Sequence, residues 1–485
     1  MLTTYDYYNL KQHMHFESPR NLEDFIKEKW PLGQKVTLFL LVVVTAAVVR
    51  IWLLPRDMPD TALNASVLIM LAVGFWITDA MPPFAVSMFV ICYSVYFLHD
   101  ASIRNVNPDW ERYAGTWSSP VIWMMMGGFF ISLGIQLTSL DKSIANFALK
   151  MFGNKPTRLL LGIMLLTMLL SMLGVSNTAT AAMMVAIFTP LAKKLDKKDP
   201  FTKSIFLGIA IAASFGGMGT IIGSPINAMA VEAAAKKGIT ISFLYWMEMG
   251  APLALGFTFL GWILLHWRYK PLVAEVPALY GGNDNPDHTY TYSELQDRWI
   301  VGITFVLTLI LWLTSSVTHI PVAAVSFMPM MLLTLTGVIQ QKHIRLISWD
   351  TLLLVAGGLT LGMAAQETGL LDYVATKITL PTDKFMAVLV FSYLTVFISN
   401  FMSSTAAASI LIPLANSLMP NDVAFVSIAI GFSCSIGILL PISTPPNAIA
   451  LSSGFLSQKD FRLPGLCLLF FGPLAICYTI YWWVL

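Results

Sequence analysis

Two short polar stretches interrupt apolar sequence at matching positions in the two halves of the chain. Residues 176–178 read Ser-Asn-Thr within the apolar block 159–192, and residues 403–405 read Ser-Ser-Thr within the block 385–418. Hydroxyl and amide side chains of this kind can donate hydrogen bonds to the oxygens of a small anion, and they are also preferred N-caps of helices. Taken alone, each stretch is therefore as consistent with an ordinary capping turn as with a binding tip.

A second polar interruption follows each block and changes that balance. Residues 223–228 read Gly-Ser-Pro-Ile-Asn-Ala, and residues 443–448 read Ser-Thr-Pro-Pro-Asn-Ala. Proline is well tolerated at the start of a helix because its missing N–H would be unpaired there anyway, so each stretch predicts a helix that stops and restarts. Interrupted helices in corresponding positions of two halves indicate the binding site of a secondary transporter.

The chemistry expected of these breaks is the binding of a small dianion. Four helix N-termini would converge near the middle of a membrane, each with about half a positive charge at most, and neither tip contains Lys or Arg. Carbonyl oxygens freed at the breaks could also hold Na⁺. The side chains expected to bind substrate directly are Ser176, Asn177, Thr178, Ser224, Ser403, Ser404, Thr405 and Thr444.

The composition is that of a membrane protein with many spans. Of 485 residues, 56% are hydrophobic and 12% are charged, whereas about a quarter of the residues in soluble domains are charged. The net charge of +2 and the lack of a basic patch with interleaved aromatic residues give no indication of a nucleic-acid partner. The four cysteines lie in apolar segments without metal or redox spacing, so we expect them to be packing residues.

Apolar stretches near the roughly 20 residues that a bilayer requires predict an all-α polytopic membrane protein. We expect about 11 transmembrane helices plus two re-entrant hairpins in an inverted repeat. The predicted spans are 36–54, 61–79, 82–98, 119–139, 243–267, 299–317, 322–340, 351–366 and 463–484, the hairpins are 158–193 and 384–418, and the broken spans are 204–235 and 422–455.

The distribution of Lys and Arg predicts a cytoplasmic N-terminus and an external C-terminus. Cytoplasmic loops should be the basic ones; residues 142–158 include four Lys or Arg residues, and residues 193–203 carry the densest basic run. Both runs lie inside only if the first hairpin enters and leaves by the same face, or if it crosses twice with arms near the lower limit of spanning length. No cleavable signal or transit segment is apparent, which favours a bacterial inner membrane.

Two other classes of membrane protein are less consistent with the sequence. An intramembrane enzyme would need a nucleophile or metal constellation, and the seven histidines include no HExxH pattern and none beside the tips. An anion channel would be expected to show charged rings or a hydrophobic gate along an open path. No cofactor is expected, apart from sodium as a possible co-transported ion.

The paired tips and breaks, with Trp-x-Thr-Asp-Ala-x-Pro at residues 76–82, resemble the divalent anion/sodium symporter family, the INDY-type di- and tricarboxylate transporters. The similarity covers the chain from about residue 36. It implies a homodimer in which each protomer has a scaffold and a mobile transport domain that work as an elevator. It also implies substrates such as succinate, malate, fumarate, 2-oxoglutarate or citrate.

The resemblance also assigns residues and domains. Asn177, Thr178, Ser224, Thr405 and Pro445 match substrate-side positions, with Gly223 beside them. Ser176, Asn177 and Gly223 match the first sodium site, and Ser399, Ser404 and Ser443 fall where the second is built. The implied division is a cytoplasmic segment 1–35, scaffold helices 36–139, a first transport segment 140–242, mainly scaffold and a cytoplasmic loop 243–366, and a second transport segment 367–485.

Two departures from the family pattern bear on how transport is driven. Ser404 stands where the family has Asn, and the serine nearest the first tip is Ser171, whereas the sodium-coupled pattern has serine at the position of Met172. Losing a side-chain ligand at each cation site weakens the case for sodium coupling. Because the family also contains sodium-independent exchangers, we expect dicarboxylate exchange, with sodium-coupled di- or tricarboxylate symport as the alternative.

Overall fold

The structure is a computed structural model. It describes residues 32–52, 54–55, 57–78, 80–98, 110–140, 143, 152–173, 176–195, 199–276, 291–378, 380–401, 404–440 and 443–484. Within these ranges the regular secondary structure is entirely helical. Ser403 and nearly all of the predicted N-terminal segment lie outside the described residues.

In the first half, helices begin where proline or a polar cap ends the preceding loop. Pro120 follows the N-cap Ser119, whose side chain accepts a hydrogen bond from the N–H of Val121. The helices described up to residue 268 are α1 (Leu32–Trp52), α2 (Asp60–Thr78), α3 (Pro83–Phe97), α4 (Trp110–Ala114), α5 (Pro120–Leu137), α6 (Pro156–Met172), α7 (Asn177–Lys194), α8 (Phe201–Met218), α9 (Pro225–Ala235) and α10 (Phe243–Arg268).

The second half repeats the order of hairpin and broken span. Its described helices are α11 (Tyr292–Leu313), α12 (Ser315–Thr318), α13 (Val322–Val325), α14 (Phe327–Leu335), α15 (Trp349–Glu367), α16 (Leu370–Lys377), α17 (Lys384–Phe401), α18 (Ser404–Leu418), α19 (Val423–Cys434), α20 (Pro445–Ser452) and α21 (Arg462–Val484). Thus α6 and α7 form the first hairpin and α17 and α18 the second, while α8 with α9 and α19 with α20 are the two broken spans.

The predicted fold class is confirmed, with local differences. Eight helices in the described residues are long and apolar enough to cross a membrane, and several shorter apolar helices accompany them. The span predicted at 322–340 is instead the pair α13 and α14, followed by Gly337 with a φ of 78°, a conformation that ends a helix. The span predicted at 299–317 begins earlier, at Tyr292, because Thr291 and Glu294 form a capping box. The short helices α4, α12 and α16 were not predicted.

The first parts of the two broken spans are the most deeply buried helices. Every side chain of α8 except that of Lys203 is buried, and every side chain of α19 except that of Ala424 is buried. A helix that is apolar on all sides has to be surrounded by protein or lipid, and here it is surrounded by other helices. Around α8 pack α6, α7, α10 and α20, and around α19 pack α9, α17, α18 and α21.

Glycine permits close packing against neighbouring backbone at two positions, one on α5 and one on α15. A Cβ on Gly127 of α5 would lie 2.5 Å from the carbonyl oxygen of Ser326, and one on Gly357 of α15 would overlap Ser87 of α3. Real Cβ atoms do not approach backbone this closely. These helix pairs can therefore keep their separation only with glycine at these positions.

We predict that Gly127→Ala lowers the free energy of unfolding by about 1–3 kcal/mol, because the added methyl forces α5 away from Ser326. Gly302→Ala on α11 is the matched control, since no atom lies within 4 Å of its added Cβ. The control should be neutral or slightly stabilising. The apparent Tm of both variants in detergent, followed by tryptophan fluorescence, compares them, and equal Tm values would contradict the packing.

Candidate functional site

The first tip is built by the end of α6 and the start of α7. Ser176 is the N-cap of α7, and its carbonyl accepts the N–H of Thr180 at 2.8 Å. The hydroxyl of Ser171 donates to Oδ1 of Asn177 and also lies 2.7 Å from the carbonyl oxygen of Ala213 on α8. Ser171 therefore reaches the tip although it stands one residue away from the expected register.

The first break is joined to this tip by a threonine that the sequence did not single out. Between α8 and α9 the chain makes a 3₁₀ turn over Ile221–Gly223. Thr220 donates its hydroxyl to the carbonyl of Met172 at 2.6 Å and accepts the N–H of Gly223 at 3.1 Å. One buried hydroxyl thus holds both the end of the hairpin arm and the turn that precedes Ser224.

Asparagine also crosses the first break. Asn227, in the first turn of α9, donates its amide to the carbonyl of Gly217 at 2.7 Å and to that of Thr220 at 2.8 Å. Gly217 in turn faces the side chain of Asn177, which leaves no room for a Cβ at that position. The amide of Asn177 therefore packs against the backbone of Gly217, whose carbonyl accepts a hydrogen bond from Asn227.

The second tip uses different residues for the same connection. Ser404 and Thr405 are buried at the start of α18. The Asn400 side chain donates to the carbonyl of Val396 at 2.7 Å and accepts the N–H of Leu439 at 2.7 Å, and so ties the arm α17 to the second break. Ser399 is buried beside Gly437. Thus the first repeat joins arm and break through Thr220, and the second joins them through Asn400.

In the second break a serine takes the place of a glycine. The hydroxyl of Ser443 lies 2.6 Å from the carbonyl oxygens of both Gly437 and Leu440. Asn447 donates to the Leu440 carbonyl at 3.5 Å and to the Ser443 hydroxyl at 3.3 Å. Thr444 is the extended N-cap of α20, which begins with two prolines. The turn is therefore held mainly by Ser443, the counterpart of Gly223.

The two repeats interlock at the level of helices. Helix α7, which begins at the first tip, packs against α20, which begins at the second break. Helix α18, which begins at the second tip, packs against α9, which begins at the first break. The predicted residues thus belong to one packed unit. Of these, Gly223, Ser224, Ser399 and Ser443 are buried, Thr444 is half-buried, and Thr178 and Pro445 are exposed.

The electrostatics of this unit favour an anion together with a hard cation. The described residues of the tips and breaks include no Lys, Arg or His. Within the described part of the chain, four buried side-chain oxygens here have no hydrogen-bond partner: Ser404 Oγ, Thr444 Oγ1, Asn227 Oδ1 and Asn447 Oδ1. Buried polar atoms normally find a partner, and hydroxyl, carboxamide and carbonyl oxygens are ligands that fit Na⁺. Of these four oxygens only that of Ser404 belongs to a predicted sodium residue, so the two sodium positions stay a prediction.

An all-helical membrane protein with two hairpins and two broken helices in repeated order has the architecture of a secondary transporter. A model of the family described as "Sodium:sulfate symporter transmembrane region" matches residues 34–485. The chain belongs to this family, and the resemblance to the divalent anion/sodium symporters is confirmed. It is accordingly an integral membrane transporter and not an enzyme.

Several relatives align over most of the chain. The sodium-dependent dicarboxylate transporter SdcS of Staphylococcus saprophyticus is 27% identical over 501 residues, which cover 94% of this chain and 92% of the relative. SdcS of Staphylococcus aureus is 26% identical over 533 residues, with 98% and 96% covered. An uncharacterized transporter of Haemophilus influenzae is 29% identical over 377 residues, with 72% and 78% covered.

A solved structure supports the fold. The crystal structure of the YdaH transporter of Alcanivorax borkumensis superposes with a TM-score of 0.54 at 15% sequence identity, over 88% of this chain and 98% of that one. At this identity the likeness concerns the arrangement of helices and not the substrate.

We predict that Thr220→Val lowers the free energy of unfolding by about 1–3 kcal/mol, because it removes the hydroxyl that donates to the Met172 carbonyl, whereas the Gly223 N–H keeps the Thr220 carbonyl at 3.2 Å. Thr258→Val is the matched control, since Thr258 is also buried but donates only within its own helix, to the Ala254 carbonyl. Apparent Tm values in detergent compare the two. A loss no larger for Thr220→Val than for Thr258→Val would show that this hydroxyl does not hold the break.

Proposed function

We propose that the chain is a secondary active transporter of C4 and C5 dicarboxylates such as succinate, malate, fumarate and 2-oxoglutarate. The observation that carries the proposal is the pair of interlocked, oxygen-lined helix breaks without basic side chains in their described residues. Helix N-termini and hydroxyl groups then provide the positive potential and the donors that two carboxylates need. The names of the SdcS relatives support this class of substrate.

The residues proposed to contact substrate are those at the tips and the N-caps of the breaks. Asn177 and Thr178 would serve one carboxylate from the first tip with Ser224, and Thr405 would serve the other from the second tip with Pro445 beside it. Ser176, Gly223, Ser403, Ser404 and Thr444 complete the proposed set.

Transport by an elevator movement is part of the proposal, with a revised division of the chain. Trp246 of α10 donates its indole N–H to the Met218 carbonyl at the end of α8, at 2.9 Å, and Trp262 donates to the Thr157 carbonyl on α6 at 3.0 Å. Helix α10 therefore supports the first broken span directly. We propose that it moves with the hairpins, so that the first mobile segment extends to about Arg268 instead of ending at 242.

We propose a homodimer in a bacterial inner membrane, with the N-terminus in the cytoplasm and the C-terminus outside. Bacterial relatives that align over most of the chain support the membrane, and the distribution of Lys and Arg supports the orientation.

For the driving ion, we propose sodium-coupled symport first. The names of the SdcS relatives favour it, and the contact of Ser171 with Asn177 weakens the argument from serine register. Dicarboxylate exchange is the second candidate, favoured by Ser404 in place of the family's Asn. In symport, Ser176, Asn177 and Gly223 would bind one sodium ion, and Ser399, Ser404 and Ser443 a second.

Uptake of labelled succinate and 2-oxoglutarate into proteoliposomes separates these modes. Four conditions combine an imposed sodium gradient, present or absent, with internal dicarboxylate, present or absent. Uptake into empty vesicles that follows the sodium gradient is the expected result for symport. Uptake that requires internal dicarboxylate and ignores sodium would establish exchange instead, and no uptake under any condition would contradict dicarboxylate transport.

We predict that Asn177→Ala and Thr405→Ala each weaken the apparent affinity for dicarboxylate by about tenfold or more, because each removes a direct donor to a charged group. Initial uptake rates over a range of succinate concentrations measure the change, with the amount of inserted protein matched. Thr258→Val serves as the folded control. Unchanged apparent affinity in both tip variants would mean that the site lies elsewhere.

A further inference from the structure

Asn227 and Asn447 occupy the same position in the two repeats. Each is the third residue of the helix that restarts after a break, following Pro225-Ile226 in α9 and Pro445-Pro446 in α20. Each side chain is fully buried and folds back across its own break. Neither residue is among those expected to contact substrate.

The amide of Asn227 binds two carbonyl oxygens at the interruption, and the second of them, that of Thr220, also accepts the Gly223 N–H at 3.2 Å. Its two donors reach Gly217 in the last turn of α8 and Thr220 in the turn itself, at 2.7 and 2.8 Å. Because both N–H groups are used on carbonyl oxygens, the orientation of the amide is fixed. The side chain therefore links the end of α8 to the start of α9 by hydrogen bonds and sets the angle between them.

The hydrogen bonds of Asn227 also affect the first tip, through Gly217. The backbone of Gly217 is held by Asn227 on its carbonyl side and is covered by the side chain of Asn177 on its Cα side. Gly223 also packs against the same carbonyl, since a Cβ on it would lie 2.6 Å from that oxygen. A shift of Gly217 would therefore move both the Asn177 amide and the N-cap that follows Gly223.

The second repeat depends much less on its asparagine. Among the described residues, which leave out 441 and 442 of this break, Asn447 makes two long contacts, at 3.5 and 3.3 Å, and one of them is to a side chain. Ser443 already lies 2.6 Å from the Gly437 carbonyl that corresponds to that of Gly217. The first repeat has Gly223 at the position of Ser443, and glycine has no side chain that could bind the Gly217 carbonyl.

We propose that Asn227 is a positioning residue for substrate binding, which aligns the first tip and the start of α9 without touching the substrate, and that Asn447 contributes little to the same task. The substrate readout of this inference rests on the proposed function, whereas its structural readout does not. We therefore expect substitutions of Asn227 and Asn447 to differ in their effect on substrate binding, although the two residues occupy equivalent positions.

The test compares Asn227→Leu and Asn447→Leu, which keep similar volume and remove both donors. Asn227→Leu should raise the KM for succinate uptake by about tenfold or more with a smaller change in maximal rate, and Asn447→Leu should change KM by less than about threefold. Hydrogen exchange of the amides at residues 219–227 should accelerate in Asn227→Leu, and this measurement needs no substrate.

Asn416→Leu is the matched control, because Asn416 is a buried asparagine of α18 that accepts a hydrogen bond from Ser427 of α19 and lies away from the first break. It should lower the apparent Tm without raising KM or changing exchange at 219–227. Asn227→Ser, which keeps one donor, should give an intermediate KM and replaces Asn227→Leu if that variant does not fold.

Equal effects of the two leucine variants on KM would overturn the proposal, as would unchanged exchange at 219–227 in Asn227→Leu. A KM rise in the Asn416 control equal to that in Asn227→Leu would show a general loss of structure instead of positioning. If the wild-type protein does not transport succinate, the proposed function fails, and the exchange measurement alone decides whether Asn227 holds the break.

Discussion

The structure depends on how the protein satisfies backbone groups where a helix stops inside a membrane. In the hydrocarbon region no water is present to pair a freed N–H or C=O group, so a broken helix needs partners from within the protein. Side chains supply them here: Thr220 and Asn227 at the first break, Asn400 and Ser443 at the second, and Trp246 at the end of α8. The same breaks leave helix N-termini free to face an anion.

Burial and packing between the repeats hold this arrangement in place. The helices that lead into the breaks, α8 and α19, are the most enclosed helices of the described chain, and each hairpin return helix packs on the break of the other repeat. A displacement at one break is therefore transmitted to the opposite tip by direct packing. Under the proposed elevator movement, a site built in this way from both repeats would keep its geometry.

The sequence predicted the order of the elements well, because apolar length, proline and polar tips are local signals. The hairpin at 158–193 is found at 156–194, and the last span at 463–484 begins at Arg462. It did not predict Ser171, Thr220, Asn227 or Asn400 as supports of the site, since each acts across tens of residues or through a carbonyl that only the fold exposes. An isolated polar residue within an apolar helix carries no signal of its distant partner. The repeated Asn at 227 and 447 was the one available clue.

A structure of the protein with succinate bound, determined by cryo-electron microscopy in a lipid nanodisc, would show directly whether the two tips form the binding site. We expect density for one dicarboxylate between the two tips, with one carboxylate near Asn177 and Ser224 and the other near Thr405. Density for succinate away from the tips, or tips that stay empty at saturating succinate, would contradict a site assembled from the two helix breaks.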